Sequence, residues 1–305
     1  MTEDYRTEDL LKSVKRALFD PLPFKKGLGW YTSRRFIHKP FFVVGSGRSG
    51  TTVLGSSLNC HPSVVFQKNE VPLCAHIGTI GYHYHQGYRF NYVYRRGTRL
   101  PITLLHKRLA DLSFEAVWGE NYGIAELLKY KASRLIFRNI VYWGAKSFPN
   151  EQDAMGLRWI FPDVKFIYIY RNGIEVVHSM TRRKGFRDKD YEVLCHKWVS
   201  EIAKYAYLTK LDCAITIRHE NLLANPEEEY DRIFTFLGIS YSAECINYAK
   251  STIVHPLDQE TRRGNARSVL SKRRNAYQTW SERQRIAFKA ICAPTMNQLG
   301  YELPF

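Results

Sequence analysis

The segment Phe41-Phe-Val-Val-Gly-Ser-Gly-Arg-Ser-Gly-Thr-Thr52 joins an apolar run to a turn rich in glycine and serine. The run Phe41–Val44 predicts a short buried strand, and an apolar helical face begins near Thr51. Between them, glycines let backbone N–H groups approach an anion. The N-terminus of the following helix adds the positive end of its dipole. This segment therefore predicts a phosphate-binding loop.

The loop resembles a nucleotide-hydrolysing loop only in part. Gly45 and Gly50 have the spacing of a Walker A loop, but Thr51 stands where that loop carries its Lys. No Asp ends the later apolar strand Phe166–Tyr170 to hold magnesium. The cation of the loop is Arg48, whose planar fork suits a phosphate without a metal. We expect a nucleotide site without triphosphate hydrolysis and without a metal; the alternative is a glycine-rich turn that holds no ligand.

A second motif lies far downstream. Phe166–Tyr170 predicts a strand that ends in Arg171, and Ser179 follows eight residues later on a predicted helix. Together with the first loop, this motif resembles the sulfotransferases that use 3′-phosphoadenosine-5′-phosphosulfate (PAPS). In that family the first loop binds the 5′-phosphosulfate, and such an Arg–Ser pair binds the 3′-phosphate. The chain departs from the family at Gly47, where the family usually has Pro.

The resemblance implies PAPS as co-substrate, no metal, and a specific donor site. The residues implied to cradle the 5′-phosphosulfate are Gly47, Arg48, Ser49, Gly50, Thr51 and Thr52. Arg171 and Ser179 are implied to hold the 3′-phosphate and so to distinguish PAPS from ATP. In the loop 262–274, Ser268 is the candidate for a further donor contact, and Ser271 stays open.

Glu70 is the candidate base. It follows a predicted strand over Ser63–Gln67, a placement that resembles the branch of tyrosylprotein and many bacterial sulfotransferases. In that branch a Glu deprotonates the acceptor hydroxyl, which is a poor nucleophile until a base removes its proton. Rival bases are His76, His83 and His85, because other branches use His. The plainer interpretation of Glu70 is a solvated loop carboxylate.

Lys146 and Arg48 complete the implied catalytic set. Lys146 follows an apolar strand, and in the family a Lys in such a segment lies by the bridging oxygen of the phosphosulfate. Negative charge builds on the leaving phosphate during transfer, and a fixed ammonium or guanidinium there lowers the barrier. The alternative for Lys146 is an ordinary surface lysine.

The length and composition fit an α/β enzyme. A chain of 305 residues with 45% hydrophobic content can bury a full core as one large domain. The resemblance implies a mostly parallel sheet flanked by helices, the P-loop NTPase-like sulfotransferase fold. We expect residues 1–40 to form an N-terminal helical extension and residues 41–305 to form the sulfotransferase domain.

The net charge of +16 favours anionic ligands. Two other classes of protein share either this positive charge or the glycine-rich loop. A P-loop small-molecule kinase would share the fold, but it needs the Lys that Thr51 replaces. A basic nucleic-acid-binding protein would account for the charge and for the interleaved Arg and Tyr of residues 88–96. No recognised nucleic-acid motif is present, so we expect no nucleic-acid partner.

The location and the acceptor are less constrained. Six scattered cysteines have no metal-binding spacing and are typical of a reducing compartment. No apolar run approaches the ~20 residues of a membrane span, and no signal peptide is evident. These features predict a cytoplasmic protein without an integral membrane segment, acting on a small-molecule or glycan acceptor. Tyrosine and lipid acceptors, O- or N-sulfation and the oligomeric state stay open.

One segment has an unusual pattern. Aromatic residues occupy even positions from Tyr82 to Tyr94, so an extended chain would present a single aromatic face. This predicts either an acceptor wall or a strand or lid packed on the core.

Overall fold

The computed structural model describes residues 39–85, 109, 113, 141–252 and 276–303. The strands within them are β1 (Lys39–Val44), β2 (Val64–Glu70), β3 (Tyr142–Lys146), β4 (Lys165–Tyr170) and β5 (Ala214–Arg218). The α-helices within them are α1 (Thr51–Leu58), α2 (Pro72–His85), α3 (Glu151–Ile160), α4 (Gly173–Thr181), α5 (Tyr191–Tyr205), α6 (His219–Ala224), α7 (Pro226–Leu237), α8 (Ala243–Thr252) and α9 (Glu282–Gln298). Short 3₁₀ helices span Ala206–Lys210 and Tyr277–Thr279.

The strands form one five-stranded sheet in the order β2-β3-β1-β4-β5. The β2–β3 and β4–β5 pairs are both parallel, and helices alternate with the strands along the chain. Parallel pairs need crossover connections, which the intervening helices supply. The predicted α/β class, a mostly parallel sheet flanked by helices, is confirmed.

The chain divides into two compact units. The first unit comprises Met1–Phe42 and Pro62–Lys165, and the second comprises Val43–His61 and Phe166–Phe305. The predicted division at residue 40 stays a prediction, because the proposed N-terminal extension lies almost wholly outside the described residues.

In the first unit, β2 and β3 are paired from Val64 and Tyr142 at one end to Glu70 and Lys146 at the other. The register shifts between Gln67 and Glu70, where β2 is irregular. The strand is longer than its apolar pattern predicts, so Glu70 ends β2 and is not part of a following loop.

Helices α2 and α3 pack closely in the same unit. A Cβ added at Gly156 would lie 1.7 Å from the carbonyl oxygen of Gly78, so the two backbones touch where neither residue has a side chain. The Thr79 hydroxyl donates a hydrogen bond to the Asp153 carboxylate. Asp153 also completes a capping box with Asn150, which fixes the start of α3.

The start of the aromatic segment belongs to α2. Residues 82–85 are helical, so the predicted extended conformation is wrong there. Alternation of aromatic residues favours a strand locally, but contacts on a neighbouring helix override such a preference. The rest of the segment, residues 86–96, lies outside the described part of the chain.

The second unit has its own core around α4, α5 and α9. Trp198, Phe288 and Met296 are fully buried there, together with Val176 and Cys195. Farther along, α6 and α7 follow β5. Pro226 occupies the first turn of α7, and Gly238 ends that helix with a left-handed φ of 71°.

Gly156→Ala is expected to lower the free energy of unfolding by about 1–3 kcal/mol, because the new methyl group overlaps the α2 backbone. Urea denaturation followed by circular dichroism measures this change. Without that overlap, Ala would stabilise a helix interior by about 1 kcal/mol, so a gain in stability would contradict the packing. Met155→Ala is the matched control on the exposed side of α3, with an expected change within about 0.5 kcal/mol.

Candidate functional site

The loop between β1 and α1 turns sharply in the second unit. The backbone N–H of Ser49 donates to the carbonyl of Ser46 at 3.2 Å, and the two hydroxyls also hydrogen-bond to each other. Arg48 has a φ of 70°, which side-chain-bearing residues rarely adopt. Such conformations persist where the surroundings impose them and are concentrated at ligand sites. The loop therefore has the local geometry of a binding turn.

Two glycines bring this loop against its neighbours. A Cβ at Gly45 would lie 2.2 Å from the carbonyl oxygen of Ile169 on β4. Gly50 has a φ of 95°, and a Cβ there would lie 2.5 Å from Cδ2 of His219. The buried His219 ring therefore packs directly behind the N-terminus of α1. The sequence indicated the glycines but not the role of His219.

Arg48, Ser179 and Arg171 come together beside the loop. Nε of Arg48 donates to Oγ of Ser179 at 3.0 Å, and Nη1 of Arg171 donates to the carbonyl oxygen of Arg48 at 3.1 Å. Burial, and secondarily the charge of Arg183, lower the pKa of the Arg48 guanidinium from its ordinary value. Three of the residues predicted from two separate motifs thus form one hydrogen-bonded group.

Arg171 also has an acidic partner. Nη2 of Arg171 donates to Oε2 of Glu175 at 2.8 Å, one helical turn away on α4. Both side chains are largely buried, with 12% and 17% of their surface exposed. Between them in the sequence, the Asn172 side chain caps the start of α4 by accepting a hydrogen bond from the N–H of Ile174. Glu175 was not among the predicted site residues.

A cavity of about 620 Å³ lies beside Arg171, and Arg218, Glu220 and Tyr301 also line it. The Tyr301 hydroxyl donates to Oε2 of Glu220 at 2.9 Å, and the Arg218 guanidinium lies 4.0 Å from the centre of the Tyr301 ring. Burial, followed by the nearby Glu220 carboxylate, raises the pKa of Tyr301. The cavity wall carries the guanidinium groups of Arg171 and Arg218 together with the carboxylates of Glu175, Glu220 and Glu302, so it suits a polar ligand.

A second carboxylate meets the loop backbone. The N–H of Gly47 donates to Oε2 of Glu201 on α5 at 3.0 Å. The other carboxylate oxygen of Glu201 accepts from Nζ of Lys197 at 2.6 Å. Glu201 was also not predicted, because nothing local links it to a loop 154 residues earlier in the chain.

The predicted base and leaving-group lysine meet in the first unit. Nζ of Lys146 lies 3.4 Å from Oε1 of Glu70, at the carboxyl ends of the paired strands β2 and β3. The Lys146 side chain is 12% exposed and the Glu70 side chain 56% exposed. Lys146 is therefore not an ordinary surface lysine. Its partner carboxylate is accessible to solvent, as a base that meets an acceptor must be.

The remaining predicted residues have simpler positions. Thr51 is buried and Thr52 exposed, both in the first turn of α1. The rival bases His76 and His83 lie on α2; His85 ends that helix, and its side chain is outside the described structure. Ser268 and Ser271 also lie outside it. Within residues 39–85, 141–252 and 276–303, no group of three or more His, Cys, Asp or Glu side chains is arranged to hold a metal.

Comparison with known proteins decides the family. The profile of the Sulfotransferase family matches residues 40–243, more than half of the chain. The chain belongs to the sulfotransferase family. This confirms the resemblance drawn from the two motifs, and the family is one of enzymes.

Curated relatives of this sulfotransferase are named protein-tyrosine sulfotransferases. Protein-tyrosine sulfotransferase 1 of Danio rerio is 27% identical over 286 residues, which cover 86% of this chain and 72% of the relative. Protein-tyrosine sulfotransferase 2 of Gallus gallus is 31% identical over 104 residues, covering 32% and 28%. Protein-tyrosine sulfotransferase A of Caenorhabditis elegans is 24% identical over 228 residues, covering 68% and 52%. These names agree with the tyrosylprotein-type branch predicted from Glu70. The chain spans only part of the length of the chicken and nematode proteins.

Solved structures support the fold. The sulfotransferase domain from the curacin biosynthetic pathway has a TM-score of 0.50 at 17% identity, covering 88% of this chain and 99% of that one. The sulfotransferase domain of the Synechococcus PCC 7002 olefin synthase has a TM-score of 0.50 at 16% identity, covering 88% and 96%. The predicted sulfotransferase fold is confirmed.

The described part of the chain contains no helix with both the length and the apolar character to cross a bilayer. The cytoplasmic location stays a prediction.

Proposed function

We propose that this protein transfers the sulfuryl group of PAPS to a hydroxyl and releases 3′,5′-adenosine bisphosphate. The observation that carries the proposal is the hydrogen-bonded group of Arg48, Ser179 and Arg171 beside the glycine-rich loop. Two guanidinium groups and a hydroxyl there match the two separate phosphate groups of PAPS.

The loop and the Arg–Ser pair have distinct roles in this proposal. The N–H groups of residues 48 and 50–52, at the start of α1, hold the 5′-phosphosulfate with the Arg48 guanidinium beside it, while the N–H groups of Gly47 and Ser49 donate within the protein. Arg171 and Ser179 hold the 3′-phosphate, which ATP lacks. Arg171 would exchange part of its contact with Glu175 for this phosphate. The donor thus binds without a metal ion taking part.

The transfer itself needs a base and a stabilised leaving group. The acceptor oxygen attacks sulfur, the bond between sulfur and the bridging phosphate oxygen breaks, and the acceptor proton passes to Glu70. Charge that builds on the departing phosphate is stabilised by Lys146 and Arg48. The ion pair between Lys146 and Glu70 supports a base and a leaving-group cation at one place. It holds the Lys146 ammonium and the Glu70 carboxylate together at the ends of β3 and β2.

We propose peptidyl tyrosine as the acceptor. The support comes from the curated relatives, which are named protein-tyrosine sulfotransferases. A net charge of +16 also favours an acidic peptide. A small-molecule or glycan acceptor, the expectation from sequence, is the alternative that the acceptor experiment must distinguish.

The donor site is tested by calorimetric titration without magnesium. We expect the protein to bind 3′,5′-adenosine bisphosphate more tightly than ATP by about tenfold or more, because ATP has no 3′-phosphate. Arg48→Ala and Arg171→Ala should each weaken bisphosphate binding by about 100-fold. Arg283→Ala removes an exposed guanidinium on α9 and should leave binding unchanged. Equal binding of the two nucleotides would favour a kinase instead.

Glu70→Gln is expected to separate catalysis from donor binding. Turnover should fall by about 10²–10⁴-fold, because the amide cannot accept the acceptor proton. The dissociation constant of the bisphosphate should stay at the wild-type value. Glu151→Gln removes an exposed carboxylate on α3 and controls for the charge change. Wild-type turnover in Glu70→Gln would make the assignment wrong and direct attention to His76 and His83.

The acceptor is tested with radiolabelled PAPS and matched substrates. We expect label to enter an acidic peptide with one tyrosine, and not the same peptide with phenylalanine, because only tyrosine offers a hydroxyl. Simple phenols and glycans serve as competing acceptors in parallel reactions. Label found only in a phenol or a glycan would reject the tyrosyl acceptor and keep the sulfotransferase assignment.

A further inference from the structure

The chain differs from its family at Gly47. The family usually has Pro at this position, and Pro has no backbone N–H and a fixed φ. Gly47 instead has an N–H, and that N–H donates to Oε2 of Glu201 at 3.0 Å. Gly in place of Pro at position 47 therefore makes possible a hydrogen bond to Glu201 that Pro could not donate.

Glu201 is held firmly enough to act as an anchor. Its second oxygen accepts from Lys197 at 2.6 Å, one turn earlier on α5. The Glu201 side chain is only 18% exposed. On the same helix, Trp198 and Ile202 are buried in the core of the second unit. The carboxylate is thus fixed both by its ion pair and by the helix that bears it.

The loop needs such an anchor at this point. Gly is the residue with the greatest backbone freedom, so Gly47 leaves the loop loose where Pro would stiffen it. The next residue, Arg48, has a φ of 70°, an unfavourable conformation that persists only when neighbouring contacts impose it. Glu201 restrains the backbone immediately before Arg48.

We propose that Glu201 is a positioning residue of the donor site. Its carboxylate holds Gly47 so that Arg48 and the loop N–H groups keep the geometry that receives the 5′-phosphate end of the donor. In this chain a hydrogen bond from α5 replaces the stiffness that Pro provides elsewhere. This inference rests on the proposed function, since it assigns the loop to a phosphate ligand.

The first test compares two substitutions of Glu201 in the full chain, with 3′,5′-adenosine bisphosphate as the probe. Glu201→Ala removes the acceptor, and we expect the dissociation constant to rise about tenfold. Glu201→Gln keeps one oxygen that can accept from Gly47 but loses the ion pair with Lys197, so the dissociation constant should rise by less than it does in Glu201→Ala. Glu192→Ala, an exposed carboxylate on the same helix, is the charge-matched control and should bind as wild type.

The second test asks whether the effect passes through Gly47. Gly47→Pro removes the N–H that donates a hydrogen bond to Glu201. Adding Glu201→Ala to this variant should therefore cause no further loss of affinity for the bisphosphate. If the fold-loss of affinity in the double variant equals the product of the two single losses, Glu201 acts at a place other than Gly47. Thermal unfolding of each variant separates loop positioning from a general loss of stability.

The possible results separate this inference from the proposed function. If the wild-type protein fails to bind the bisphosphate, the proposed function is wrong. If the wild-type protein binds it and Glu201→Ala binds equally well, only the role of Glu201 is wrong. Equal weakening by Ala and Gln also rejects that role, because the amide retains the acceptor. The comparison of Ala with Gln decides the question even if the Pro variant does not fold.

Discussion

The backbone of the loop after β1 passes so close to β4 that no side chain fits at Gly45. This contact sets the path of the following residues. Arg171 leaves the end of β4 two residues after Ile169, within reach of the Arg48 carbonyl, and Ser179 reaches the Arg48 side chain from α4. The proposed donor site therefore depends on a backbone-to-backbone approach. The charged side chains are arranged around that approach and do not create it.

The sequence predicted what short-range chemistry determines. The buried strand, the glycine turn and the Arg–Ser spacing are all local patterns, and the structure has the corresponding strand, turn and helix. The resemblance supplied the pairing of distant motifs, which spacing alone does not encode. Glu175 was within reach of sequence reasoning, because residues four apart on a helix face each other and Arg171 precedes that helix.

Other features were beyond such reasoning for physical reasons. Glu201 meets the loop only because α5 packs in the second unit, and no local pattern records a contact across 154 positions. The length of β2 depends on its pairing with β3, so the apolar pattern ended the strand before Glu70. The helical start of the aromatic segment reflects the close packing of α2 on α3, which outweighs the alternation of its side chains.

The backbone of Arg48 has a further consequence for how this position can vary. A left-handed conformation costs a side-chain-bearing residue free energy that Gly does not lose. The backbone conformation alone would therefore favour Gly at position 48, whereas the Arg48 side chain contributes the hydrogen bond to Ser179 and the guanidinium of the proposed donor site. At this residue, a substitution that increases thermal stability is therefore expected to reduce ligand affinity.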